Sequence, residues 1–124
     1  MNITTICIGK TDEKAIENLL QKYENRLPSH INYQRIEIPD IKNRKNLSEI
    51  QQKQKEAEQI LAKIINTDFV IILDEKGKQP TSKQFADDIQ NYMNQSVKNL
   101  VFVIGGPYGF DESVYNRGNK KMSL

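Results

Sequence analysis

Apolar residues occur along this chain in two arrangements, short continuous runs and stripes at helical spacing, and the two alternate. Ile3–Ile8 is a β-branched run ended by Gly9, which predicts a strand opening a sheet. Behind the cap Lys10-Thr11-Asp12, residues Ala15, Ile16, Leu19, Leu20, Tyr23 and Leu27 are spaced for a helix that Pro28 closes. Ile31, Tyr33, Ile36 and Ile38 alternate with polar neighbours such as Arg35 and predict a second strand, at an edge with one wet face, stopped by Pro39. Between Leu47 and Ile65 apolar positions are few until Ala57, Ile60, Leu61, Ile64 and Ile65. That predicts an amphipathic helix, with Ser48 a candidate cap and a first half that projects into solvent. Asp68-Phe69-Val-Ile-Ile-Leu-Asp74 has an unbroken apolar interior and predicts a central third strand. Pro80-Thr81-Ser82 starts a helix with the stripe Phe85, Ala86, Ile89, Tyr92 and Met93. Leu100–Ile104 is a fourth strand, covered on both faces because no polar residue interrupts it. Asp111-Glu112-Ser113 begins a short helix with Val114 and Tyr115, and Lys121–Leu124 reads as a strand barely begun.

This order, β-α-β-α-β-α-β-α and a final β, implies an open α/β fold: a mostly parallel sheet, right-handed crossovers and helices on both faces. Residues 1–124 read as a single domain, and 124 residues suffice for one core. A parallel-sheet domain seldom stops on the first residues of a strand, so the chain is expected to be truncated at its C-terminus. The net charge of +2 permits a nucleic-acid partner without demanding one. One cysteine, Cys7, rules out a disulfide framework, and its apolar setting marks it as a small buried hydrophobe. No apolar run approaches the ~20 residues that span a bilayer. The N-terminus lacks the basic-then-apolar pattern of a signal peptide, so a cytoplasmic protein is expected.

Candidate chemistry centres on the loop after the fourth strand, Gly105-Gly106-Pro107-Tyr108-Gly109. Glycines admit backbone angles closed to other residues and leave room for a ligand, while Pro107 stiffens the loop. Such a loop at the carboxyl end of a buried parallel strand is either a ligand site or simply a tight strand-to-helix turn. No G-x-G-x-x-G follows the first strand and no phosphate-binding G-x-x-x-x-G-K-[ST] occurs, which disfavours a standard dinucleotide site and a nucleotide triphosphatase. The lone histidine, His30, has no clustered Cys or carboxylate near it in sequence, which argues against a metal site or a triad. Asp74 and Glu75 end a central strand and could be an acid–base pair or plain solvated carboxylates. Lys42, Arg44 and Lys45 could touch phosphates or simply solvate a loop. The stretches Leu73–Lys78 and Ile104–Gly109, both at strand ends, are potential neighbours lining one crevice.

Those two loops, in this order and spacing, resemble the RlmH family of bacterial ribosomal RNA methyltransferases, within the knotted SPOUT superfamily. The similarity spans the chain: Ile3-Thr-Thr-Ile-Cys-Ile-Gly-Lys10, Lys22-Tyr-Glu-Asn-Arg-Leu27, Ile36-Glu-Ile-Pro-Asp40, Lys55-Glu-Ala-Glu-Gln-Ile-Leu61, Leu73-Asp-Glu-Lys-Gly-Lys78 and Phe102-Val-Ile-Gly-Gly-Pro-Tyr-Gly109. The resemblance implies methylation of N3 of a pseudouridine in 23S rRNA, within the assembled ribosome, with S-adenosylmethionine as donor. It also implies a homodimer whose C-terminal part threads a trefoil knot. Carried across by motif, Leu73, Gly105 and Leu124 would contact the donor, with Gly106, Tyr108 and Gly109 shaping the same pocket. Family members continue past Leu124 into a third loop, a helix and a polar tail. A chain ending at Leu124 is therefore expected to bind the donor poorly and catalyse little, and no catalytic base is assigned within it. Two other readings compete. One is a non-catalytic module binding RNA or the ribosome through Lys42, Arg44 and Lys45. The other is a small-molecule sensor using the Gly105 crevice alone.

Overall fold

The computed structural model describes residues 1–8, 32–39, 48–105 and 109–123, apart from the side chains at positions 75, 76, 78 and 82. Along the chain these residues form β1 (Asn2–Ile8), β2 (Asn32–Ile38), α1 (Glu49–Leu61), β3 (Phe69–Lys78), α2 (Ser82–Asn94), β4 (Asn99–Ile104), α3 (Glu112–Arg117) and β5 (Lys120–Met122). The five strands make one sheet in the order β2-β1-β4-β3-β5, every pairing parallel. The helix expected over Ala15–Leu27 lies outside the described residues.

The unbroken apolar runs are explained by a sheet buried on both sides, because successive side chains of a strand point to opposite faces. Ile6, Ile8, Val70, Ile72, Val101 and Val103 face one layer with Ala57 and Ile60 of α1 and Val114 of α3. Ile3, Ile71, Leu100 and Phe102 face the other, against Phe85, Ile89 and Tyr92 of α2. Helices thus cover both faces. Strand β2, paired with β1 at the edge of the described sheet, is largely exposed but does not show the expected alternation: Tyr33 packs towards the α2 layer and Ile36 and Ile38 towards the other, so neither face is wholly wet. Its register on β1 is pinned by the Tyr33 hydroxyl donating to Thr5 Oγ1 (3.0 Å) and Gln34 Nε2 donating to Thr4 Oγ1 (3.1 Å). At the amino edge Asn32, Asn2 and Asn99 form a side-chain ladder across β2, β1 and β4. Cys7 is fully buried, its Sγ 3.4 Å from the Ile36 carbonyl oxygen.

Two expectations change. Helix α1 ends at Leu61, short of Ile65, and its first half is not wholly in solvent: Gln52 and Glu56 are 2% and 3% exposed. They sit one turn apart on the stripe that continues to Ile60, and Gln52 Nε2 donates to Glu56 Oε2 (3.3 Å). Burial of polar groups is tolerated where hydrogen bonds replace water. Strand β3 runs on past Asp74 to Lys78. Met122 of β5 pairs first with Leu73 and again with Lys78, so Asp74–Gly77 bow outward between two contacts with one residue. A Cβ on Gly77 would lie 2.8–2.9 Å from the Met122 backbone. Lower down, Arg117 fastens the end of α3 to the approach to β3, donating to the carbonyls of Ile65 (2.8 Å) and Asp68 (3.0 Å). The next residue but one, Asn119, exchanges two hydrogen bonds with the backbone of Val70 (2.7 and 2.8 Å).

Candidate functional site

The β3–β4 ladder ends at the pair Leu73 and Ile104. Beyond it the chains part. From β3 the connection leads to α2 on one face of the sheet; from β4 it leads through Gly105 to α3 on the other. Neighbouring strands whose connections leave to opposite faces open a crevice at the carboxyl edge, the place where α/β sheets bind ligands. Leu73 and Gly105 flank this crevice. Leu73 is half-buried and packs against the α2-side core, and it also pairs with Met122. Gly109 lies at the start of α3's approach. Gly106, Tyr108, Leu124 and the basic residues Lys42, Arg44 and Lys45 fall outside the described residues.

The glycines serve different ends. A Cβ at Gly105 would sit 2.8–2.9 Å from ring atoms Cε1 and Cζ of Phe110. The expectation that nothing blocks approach to this loop is therefore corrected on one side: the space Gly105 leaves is filled by a core aromatic. Gly109 has φ +81°, a left-handed conformation that favours glycine. Its role is the turn.

Behind the crevice stands a group that sequence reasoning did not find. The Tyr115 hydroxyl on α3 donates to Asp74 Oδ2 at 2.6 Å, joining residues 41 apart in sequence. Burial first, and then the Asp74 carboxylate, push the Tyr115 phenol up to about 12. Tyr115 packs edge-on against Phe110, ring centroids 5.5 Å apart, and Lys121 Nζ lies 4.7 Å from the centre of the Tyr115 ring. Asp74, weighed above as half of an acid–base pair, is thus a hydrogen-bond acceptor within the fold; the side chain of Glu75 is not among those described. Asp111 caps α3. The Ser113 hydroxyl donates to its Oδ2 at 2.6 Å and the Ser113 amide at 3.1 Å, and these bonds hold the Asp111 carboxyl below its ordinary value. The sequence marked Val114 and Tyr115 as members of a short helix; nothing local announced the tie to Asp74.

A separate cavity of about 590 Å³ lies beneath α2, with an apolar floor of Ile71, Phe85, Ile89 and Phe102 and a rim that includes Asp88 and Lys120, which pair at 3.5 Å. Neither Leu73 nor Gly105 lines it. The strand-end crevice, where topology and glycines coincide, is the better candidate site. Among the described residues no group of three or more His, Cys, Asp and Glu side chains is placed to hold a metal ion, and no helix is long and apolar enough to cross a membrane.

The fold is that of an α/β protein with a parallel sheet and a candidate ligand crevice at its carboxyl edge. Residues 1–124 match the family described as "Predicted SPOUT methyltransferase", and the chain belongs to that family. Among curated relatives it is 52% identical to the Ribosomal RNA large subunit methyltransferase H of Christiangramia forsetii, 53% to that of Flavobacterium johnsoniae and 49% to that of Parabacteroides distasonis. Each alignment covers the whole chain and 79% of the relative.

Proposed function

We propose that this chain is the methyl-transferring domain of a ribosomal RNA large subunit methyltransferase of the H type. It acts in the cytoplasm on N3 of a 23S rRNA pseudouridine within the assembled ribosome, with S-adenosylmethionine as donor, and works as a homodimer. The observation that carries the reading is likeness over all 124 residues to relatives of that name, at 52% and 53% identity in two of them. The crevice supports it. Leu73 offers a half-buried apolar surface and Gly105 a backbone without a side chain, which suits a flat, partly apolar nucleoside held by main-chain groups. Gly106, Tyr108 and Gly109 would complete that wall, and Leu124 would begin another.

When bound, the donor supplies an electrophilic methyl group on a sulfonium. The task of this chain's residues is to hold that group in line with the ring nitrogen and to exclude water, since catalysis here is chiefly positioning plus removal of one proton. None of the described residues is assigned that proton. Lys42, Arg44 and Lys45 supply phosphate contacts to the RNA.

The test is transfer of labelled methyl from S-adenosylmethionine to ribosomes lacking the modification, catalysed by the product of the whole gene. The expected result is a single methylated pseudouridine in 23S rRNA, mapped by mass spectrometry. Absence of transfer to ribosomes would overturn the proposal.

A further inference from the structure

The two strand ends that flank the crevice are tied together from behind. Asp74 directly follows Leu73, and its Oδ2 accepts the Tyr115 hydroxyl at 2.6 Å. The Tyr115 ring stands edge-on against Phe110. The Phe110 ring occupies the space where a side chain on Gly105 would be. An unbroken series of contacts therefore runs from Asp74, just past the last β3–β4 pair, through Tyr115 of α3 and Phe110, to Gly105 at the end of β4, on the face opposite α2. Phe110 is buried, so the aromatic half of the series is anchored in the core. Lys121, over the Tyr115 ring, brings β5 into the same group.

We infer that Tyr115 is a positioning residue for the donor crevice: its hydrogen bond to Asp74 and its contact with Phe110 set the separation of Leu73 from Gly105. The inference rests on the proposed placement of the donor between those residues. Strands that diverge have no ladder to fix their spacing. A ligand gripped from both sides feels an error in that spacing directly, and small misplacements at such sites are costly. The phenol keeps its proton throughout the neutral range, so the clamp holds at every pH where ribosomes are intact.

Tyr115→Phe removes the hydroxyl and keeps the ring. With the product of the whole gene, the KM for S-adenosylmethionine should rise about fivefold to tenfold, the scale of one ordinary net hydrogen bond. The rise in KM should exceed the fall in kcat, and calorimetric Kd for the donor should shift by a similar factor. Asp74→Asn, which keeps an acceptor oxygen, should lose less affinity than Asp74→Ala. Unchanged donor KM and Kd in Tyr115→Phe, within about twofold, would sink the clamp while leaving the methyltransferase reading intact. A parent enzyme that binds S-adenosylmethionine without methylating ribosomes would remove the functional reading and leave the Kd comparison to decide the clamp. A parent that does neither overturns both.

Discussion

At Gly105 the missing side chain matters to the protein's own packing as much as to any ligand. An added Cβ would press on the Phe110 ring, which is buried in the core and packed edge-on against Tyr115. Gly105→Ala should therefore cost about 1–3 kcal/mol, as overpacking of a filled core does, read from the denaturant midpoint. Replacing Phe110 by Leu in the same chain should recover part of that loss, so the double variant should be less destabilised than the two single costs added. Tyr115 makes a second residue-scale prediction. Its phenol titrates near 12 in the folded chain, above the ordinary value of 10.0, so the folded state holds this proton more tightly than the unfolded one. The resulting stability is complete below about pH 10 and is lost as pH rises towards 12. Alkaline unfolding curves of Tyr115→Phe should lack that part of the decline. Neither feature could be read from the sequence. Tyr115 was legible only as a member of a short helix, and a partner 41 residues away leaves no local pattern.

At the scale of elements, what was legible had a local physical cause. Ser48 and Thr81 each stand three residues before a glutamine, and both form capping boxes: the hydroxyl accepts from the Gln51 or Gln84 amide, and the glutamine side chain accepts from the cap amide. Thr81→Ala should cost about 1 kcal/mol, visible as a lower melting temperature with no change in the breadth of the transition. The continuous runs Phe69–Leu73 and Leu100–Ile104 betrayed strands covered on both faces, and the polar residues interspersed through Asn32–Ile38 betrayed an edge, though Tyr33 and Ile36 turn to opposite layers rather than sharing one buried face. The failures also have causes. Gln52 and Glu56 looked like solvent-facing residues because burial of a polar pair depends on what bonds it, which helical periodicity does not encode. The extension of β3 to Lys78 escaped notice because its partner is the three-residue strand β5, too short and too polar to signal itself.

For the whole molecule, alternation of runs and stripes was enough for a parallel sheet with helices on both sides. The strand order β2-β1-β4-β3-β5 was not recoverable, since it depends on how far each crossover carries the chain. That order is what matters for function. It sets β3 beside β4 and sends their connections to opposite faces, so Leu73 and Gly105, from the two stretches singled out in the sequence, come to lie at neighbouring strand positions for a topological reason. The basic stretch belongs to this scale too, since electrostatic contact with a ribosome is summed over a surface. Substituting Lys42, Arg44 and Lys45 together by Ala should weaken ribosome binding, most at low salt. It should also flatten the slope of log K against log salt, by about one for each phosphate contact removed. Sedimentation with ribosomes at several salt concentrations measures both.

The bow of β3 around Met122 bears on how this edge of the sheet moves. Strand β5 is three residues long, and its one neighbour among the described strands meets Met122 twice, at Leu73 and at Lys78. Because both ends of the bow pair with Met122, opening of the bow and release of the strand are expected to be coupled. In native-state hydrogen exchange the amides of Asp74–Gly77 and of Lys120–Met122 should therefore share one opening free energy, lower than that of β1 and β4. Gly77→Ala, whose Cβ would meet the Met122 backbone, should lower both sets together. Leu73 sits on the boundary between the two regimes, so one side of the crevice belongs to the rigid sheet and the other opens with β5.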